Sequence, residues 1–347
     1  MTEIIGQLGG RSICRQYHID EEVVHFLESV TWGVGDNQYE HYYTLHRLRN
    51  IPEPVFFLGR EAGTNELIGA VVFGKRRVMG VKAYYIRFFA VAAKVRGQRI
   101  TTPLAELLFD ILRDEENEPV IFYATTDRIN PGVNRLAARL GFEELTLNQT
   151  IGFSRFLPRP MPGVEVLSPE EFAAFLPVLE EAYAGHAFWT ADNLGKDGHY
   201  FVLRENDQIV AGLQACKALW RVGKMPGFFG KVILPLLPYT PLRVIFNPRA
   251  FHFLAIEGIY IAPGYEHRLQ DVLETALHHF KFHSALFWIN IADPLRQRIL
   301  EHNRMGLLHH FVKDTMSRFI ASFHQVDPAT EQELRRRPVY NSSIDSV

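Results

Sequence analysis

Residues 84–101 read YYIRFFAVAAKVRGQRIT. An aromatic and aliphatic strand pattern over 82–93 runs into Val95–Arg96–Gly97–Gln98–Arg99, and an amphipathic helical pattern begins there, at about 98–114. The first turn of a helix has backbone N–H groups with no internal partner, and the helix dipole adds positive potential. A strand that ends in glycine and cations at that point can receive a pyrophosphate. Gly97 lets the backbone approach closely, and Arg96 or Arg99 supplies charge.

Working outward, strand-like segments at 54–60 and 66–75 precede this stretch, separated by Gly63–Thr64–Asn65 as a hairpin loop would separate them. Further upstream lie a short alternating segment at 12–19, a helical pattern at 20–30 behind a cap at Asp20, and a second helical pattern at 37–49 that stops before Pro52 and Pro54. Downstream come an apolar strand at 119–125, a helix at 131–140 and a strand from Phe142 onward. This order predicts an α/β (α+β) domain over residues 1–155, a mixed, mostly antiparallel sheet flanked by helices.

Residues 156–164 (FLPRPMPGV) read as a Pro-rich linker, after which the same order recurs over 165–325. A strand at 164–167 leads into a helix opened by Ser168–Pro169–Glu170–Glu171. Strands at 199–205, 208–218 and 253–262 follow, then a helix at 266–281, a strand at 285–292, a helix at 293–303 and a last strand at 308–322. A repeat of this length is a duplicated domain. The Pro-interrupted apolar insert 224–251 has no counterpart in the first half, and the polar tail 326–347 is expected to be loosely held.

Composition narrows the function classes. The 37 basic and 39 acidic residues of the 347-residue chain give a formal charge of −2, which leaves no electrostatic footprint for nucleic acid. No apolar run approaches the ~20 residues of a transmembrane helix, and the N-terminus lacks a secretory pattern. With only Cys14 and Cys216, a disulfide framework is not indicated. These features describe a cytoplasmic protein. His278, His279 and His283 lack an acidic or Cys partner at metal-ligand spacing, so no metal is expected.

A second motif stands about thirty residues after the first. Residues 130–142 read NPGVNRLAARLGF, following the strand VIFYATTD. The pair resembles the GNAT (Gcn5-related N-acetyltransferase) superfamily. Val91, Arg96 and Gly97 fall on its pyrophosphate-loop pattern, and Asn130, Leu136, Arg139, Gly141 and Phe142 on its later N-x-x-A-x-x-L-Y-x-K-x-G-F pattern. By element order the resemblance covers the whole first domain. It implies acetyl-CoA or another acyl-CoA as cosubstrate, held by Phe89, Ala90, Val91, Arg96, Gly97, Gln98, Arg99, Ile100, Thr101 and Asn130. The sequence departs from the family at Arg99 and Thr101, where the loop usually has small residues, and at Ala137, where a tyrosine often protonates the departing thiolate. In the second half the corresponding loop, 262–269, carries Glu266 and Leu269, and an acidic side chain there repels a diphosphate. The second repeat therefore reads as degenerate.

The resemblance implies direct attack of an amine on the thioester, with the oxyanion held by a backbone N–H near Phe89–Val91. Proton-transfer candidates are Tyr85, Tyr123 and His46, with Tyr84, Glu40 and His41 beside them; the strand at 82–93 has no glutamate. Trp32, Tyr39, Tyr43, His46 and Arg47 read as one helix face or its approach, either an acceptor-binding surface or packing on the sheet. The insert 224–251 reads as a membrane-touching flap, a lid or a homodimer contact. Three functions stay open: an N-acyltransferase acting on a small-molecule or peptide amine, a non-catalytic acyl-CoA-binding protein, and a structural protein.

Overall fold

The computed structural model describes residues 2–35, 37–98, 100–196, 198–225 and 227–347, with the backbone alone at Val34 and Phe229. In chain order the elements of the first part are β1 (Glu3–Leu8), β2 (Arg11–Gln16), α1 (Glu21–Glu28), β3 (Trp32–Val34), β4 (Asn37–His41), α2 (Thr44–Asn50), β5 (Val55–Glu61), β6 (Leu67–Val78), β7 (Val81–Val91), α3 (Thr101–Glu115), β8 (Val120–Asp127), α4 (Pro131–Arg139) and β9 (Glu143–Ser154). The rest comprises β10 (Val164–Val166), α5 (Pro169–Ala182), β11 (His199–Glu205), β12 (Gln208–Lys224), α6 (Leu234–Leu236), β13 (Phe251–Ile261), α7 (Leu269–Phe280), β14 (Ser284–Asn290), α8 (Pro294–His302), α9 (Leu307–Val312), β15 (Met316–His324) and α10 (Pro328–Arg336).

The chain forms two compact units. The first comprises Met1–Gly33, Tyr43–Leu145 and Arg318–Arg336; the second comprises Val34–Tyr42, Thr146–Ser317 and Arg337–Val347. Strand β9 thus passes from the first unit to the second at Thr146, and β15 passes the other way at Arg318.

In the first unit the sheet order is β1-β2-β5-β6-β7-β8 with β15 beyond. Neighbours from β1 to β7 pair antiparallel, and β7 pairs with β8 in parallel. Alternation along the strands sends side chains to two separate cores, as the two-residue period requires. Val55, Phe57, Val71 and Phe73 pack against Leu108, Phe109 and Leu112 of α3. Phe56, Leu58, Ala70 and Val72 face Val23 and Leu27 of α1 and Leu48 of α2. Asp20 caps α1 as its position predicts, accepting from the Glu22 N–H at 2.9 Å.

The second unit has the order β9-β14-β13-β12-β11-β10, with β4 pairing β12, and is likewise antiparallel except at β13/β14. Helix α7 covers one face with Leu269, Val272, Leu273, Ala276 and Leu277. On other surfaces, α5 adds Phe175 and Leu179, and the insert adds Leu234, Leu237, Ile245 and Phe246. The capping box at Ser168 and Glu171 forms as the sequence predicts.

Three expectations are corrected. Residues 37–49 are not one helix: Asn37–His41 pair with β12, Tyr39 stacks on Trp220 at 5.0 Å, and Tyr43 takes a left-handed φ of 64° before α2. A partner strand distant in sequence overrides the local helical period there. The strand expected over 308–322 divides into α9 and β15. The tail is not loose: α10 forms, and Val339, Tyr340, Ile344 and Val347 are buried.

Candidate functional site

The site is built on β7. One edge of this strand pairs with β6 from Val81 to Val91. The other edge pairs with β8 only from Lys82↔Val120 to Tyr85↔Tyr123, and beyond these residues the strands diverge. On the β6 side the register shifts between Val72↔Phe88 and Phe73↔Ile86, so Arg87 is an extra residue, a bulge that re-aims the strand. The result is a crevice along Ile86–Val91 whose edge carries backbone groups with no β8 partner.

The loop that follows is held from within. A 3₁₀ turn spans Ala93–Val95, with Val95 buried as its anchor. Arg96 turns back, its Nε donating to the Val91 carbonyl at 2.9 Å and its Nη2 to that of Thr31 at 3.4 Å, so its charge faces no carboxylate among the described residues. Gly97 has φ +77°, which residues with side chains rarely adopt, and a Cβ there would meet nothing within 4 Å among the described residues. Gln98 accepts from Arg11 Nη2 at 3.0 Å and donates to the Lys94 carbonyl at 2.9 Å. Thr101 Oγ1 donates to the Val95 carbonyl at 3.3 Å. Helix α3 then starts with no side-chain cap at Ile100 and no acidic residue in its first turn. The Thr101 N–H donates to the Gln98 carbonyl at 3.3 Å and Pro103 has no N–H, so what this end offers an anion is chiefly the helix dipole. Arg99 lies outside the described residues.

Phe89, Ala90, Val91, Ile100 and Thr101 line a cavity of about 70 Å³ between the sheet and the first turns of α3. Its wall is almost wholly apolar, with Ile13, Phe57, Val71, Leu104 and Leu108 among its residues. Asn130 is the N-cap of α4, its Oδ1 accepting from the Val133 N–H at 3.1 Å.

At the vertex where β7 and β8 part, the rings of Tyr85 and Tyr123 lie 5.2 Å apart. Arg76 of β6, buried, donates from Nη1 to Tyr123 Oη at 3.2 Å, and its guanidinium lies 5.0 Å from the centre of the Tyr85 ring. Phe319 stacks on Tyr123 at 5.4 Å. The sequence reasoning missed Arg76; the available signal was a cation flanked by two others (Lys75, Arg77) in a strand whose neighbours are apolar. Tyr84 points the other way, stacked on Phe122 at 5.4 Å, and donates to Glu116 Oε1 at 2.6 Å. Burial, reinforced by that carboxylate, pushes the Tyr84 phenol above its ordinary range, so it keeps its proton. His46 is exposed on α2, 3.5 Å from Asn50 of the same helix. Glu40 and His41 stand on β4, where Arg221 donates to Glu40 at 3.4 Å.

The second unit repeats the strand geometry with different contents. β13 and β14 pair only at Leu254↔Ala285 and Ala255↔Leu286 before diverging. The chain's last residues occupy the opening. The Trp288 N–H donates to Ser343 Oγ at 3.3 Å, while Glu257 accepts from Tyr340 Oη at 3.0 Å, Ser342 Oγ at 2.8 Å and the Ile344 N–H at 3.1 Å. In the loop, Arg298 donates to Glu266 at 2.7 Å, and Arg268 is held by Asp271 at 2.5 Å and Glu205 at 3.0 Å.

Residues 22–142 match the Acetyltransferase (GNAT) family, a match covering about a third of the chain. Over 98% of this chain and 91% of the other, the structure is similar to N-myristoyltransferase of Saccharomyces cerevisiae with bound myristoyl-CoA, at a TM-score of 0.63 and 10% identity. A GCN5-related N-acetyltransferase from Anabaena variabilis is similar over 89% of this chain and 72% of that one, at a TM-score of 0.50 and 11% identity. No curated protein sequence matches the chain. Among the described residues, no helix is long and apolar enough to cross a membrane.

Proposed function

We propose that this protein is an acyl-CoA-dependent N-acyltransferase that transfers an acyl group to a small-molecule or peptide amine by direct attack. One observation carries the reading: β7 parts from β8 after Tyr85 and leads, through Arg96 and Gly97, to an uncapped start of α3. An extended acyl-pantetheine can add to this edge of β7 as a strand would, with its diphosphate at the helix start. The S. cerevisiae enzyme holding myristoyl-CoA supports the donor class.

In this mechanism the amine nitrogen attacks the thioester carbonyl carbon, and a backbone N–H in Phe88–Val91 donates to the oxyanion. The C–S bond then breaks. Ala137 is buried against the core and has no proton to give, so we assign that role to Tyr123. Its phenol protonates the sulfur and is recharged by the proton lost from the amine nitrogen. Arg76, donating to Tyr123 Oη, stabilises the phenolate between these steps. Residues 1–155 and 165–325 are, on this reading, the active and degenerate copies of one duplicated domain.

The test is calorimetric titration with acetyl-CoA and with longer acyl-CoAs, wild type beside Gly97→Glu, followed by turnover against a panel of amines. Micromolar binding that the variant loses, together with thiol release, supports the proposal. Binding without thiol release from any amine would reduce the protein to an acyl-CoA carrier, and no binding would remove the donor site altogether.

A further inference from the structure

The insert 224–251 is partly buried and partly exposed. Its backbone winds through a π-turn at Phe229–Ile233, the short α6, and 3₁₀ turns at Leu237–Tyr239 and Pro241–Val244. Leu234, Leu237, Ile245 and Phe246 are turned inward on Phe251, Phe253 and Trp288. Other apolar residues of the insert are turned to solvent: Phe228 is 71% exposed, Leu236 56% and Tyr239 74%, with Val232 and Val244 beside them in sequence. Scattered exposed apolar residues are ordinary, but five within seventeen consecutive residues are a local concentration.

Its charge is one-sided. Lys224, Lys231, Arg243 and Arg249 are all exposed, and residues 224–251 contain no Asp or Glu. None of the four makes an ion pair among the described residues; Arg249 instead donates to Tyr239 Oη at 2.6 Å and lies 5.1 Å from its ring centre. The chain as a whole carries −2, so this concentration of cations is local. Large apolar side chains between unpaired cations, on a cover already anchored from beneath, is the composition that seats in a lipid headgroup layer. The apolar groups enter the acyl boundary, the aromatic ring sits at headgroup depth, and the cations meet anionic phosphates.

We infer that residues 227–249 form a peripheral docking surface for an anionic lipid bilayer. These residues lie entirely in the second unit, so the inference stands independently of donor binding at the first. Co-sedimentation with vesicles of phosphatidylcholine containing phosphatidylglycerol, and with phosphatidylcholine alone, tests it on the full chain. The wild type is expected to partition onto the anionic vesicles, at least tenfold less onto the neutral ones, and to be released by salt. Phe228→Ser with Leu236→Ser is expected to abolish partitioning. Each of Lys231→Glu and Arg243→Glu should weaken it about fivefold or more. All four positions are exposed, and unchanged melting of the variants shows that they fold. No partitioning of the wild type, or partitioning that the Phe228/Leu236 variant retains, would overturn the inference. So would a dimer in sedimentation velocity that this variant dissociates while vesicles stay unbound.

Discussion

The crevice beside β7 and the crevice beside β13 begin alike and end differently. In each, two parallel strands share a few rungs, part company and are followed by a loop and a helix. In the first, the loop cation Arg96 binds backbone carbonyls and no carboxylate among the described residues, and a Cβ at Gly97 would meet none of them within 4 Å. In the second, Arg268 is neutralised by two carboxylates, Glu266 by Arg298, and residues 340–344 enter the gap through Glu257, leaving a cavity of about 30 Å³. The lesson is that splayed strands supply only the shape of a donor site. Uncommitted charge and empty space decide whether an anion can use it.

Substitutions can break or sharpen this contrast. The largest effect is expected from Gly97→Glu, which puts a side chain into a left-handed backbone and a negative charge where the proposed donor site would take the diphosphate. Acyl-CoA affinity measured by calorimetry should fall at least about a hundredfold. Tyr123→Phe should lower kcat about a hundredfold while leaving acyl-CoA affinity unchanged, whereas Tyr84→Phe, which removes only the bond to Glu116, should leave kcat as it was. Steady-state turnover alongside calorimetry separates the two. Arg96→Ala removes one charged contact and should weaken acyl-CoA binding about tenfold.

In the second crevice the clasp itself can be titrated. Burial, reinforced by the nearby Asp345, pushes the Glu257 carboxyl up to about 7. An acid with a folded-state pKa above its unfolded value contributes stability fully below the unfolded value, near pH 4.5, and loses it as pH rises through the folded one. Melting of the wild type should therefore fall between pH 5 and 8 by the equivalent of about 1–3 kcal/mol relative to Glu257→Gln, whose side chain does not titrate. The smallest effect is expected from Glu266→Arg. It makes the second loop basic, yet acyl-CoA stoichiometry should stay unchanged because residues 340–344 still stand in the opening. An added binding site in calorimetry would show that charge alone had closed it.

The local features were legible. The run from Tyr84 through Gly97 to the helix, the caps at Asp20 and Ser168, and the Asn130–Pro131 helix start all formed where residue type and spacing put them, since each depends on chain neighbours only. Residues 37–41 misled because their aromatic spacing suits a helix in isolation and a strand once β12 offers hydrogen bonds. The tail misled for a related reason. Its serines read as solvated, but Ser342 meets a buried carboxylate from a strand 85 residues away. Asn130, chosen for the family's position, spends its Oδ1 on its own helix.

By itself, then, the amino-acid sequence determined most of the element types, the strand-to-helix turn at Val95–Gly97 and the carboxylate at Glu266, because these follow from side-chain identity and short-range periodicity. Only the tertiary structure decided which cation stays unpaired, which crevice is occupied, and that Arg76 is buried against Tyr123. Those outcomes depend on groups brought together across long stretches of chain, where burial rather than spacing sets what a charge can do.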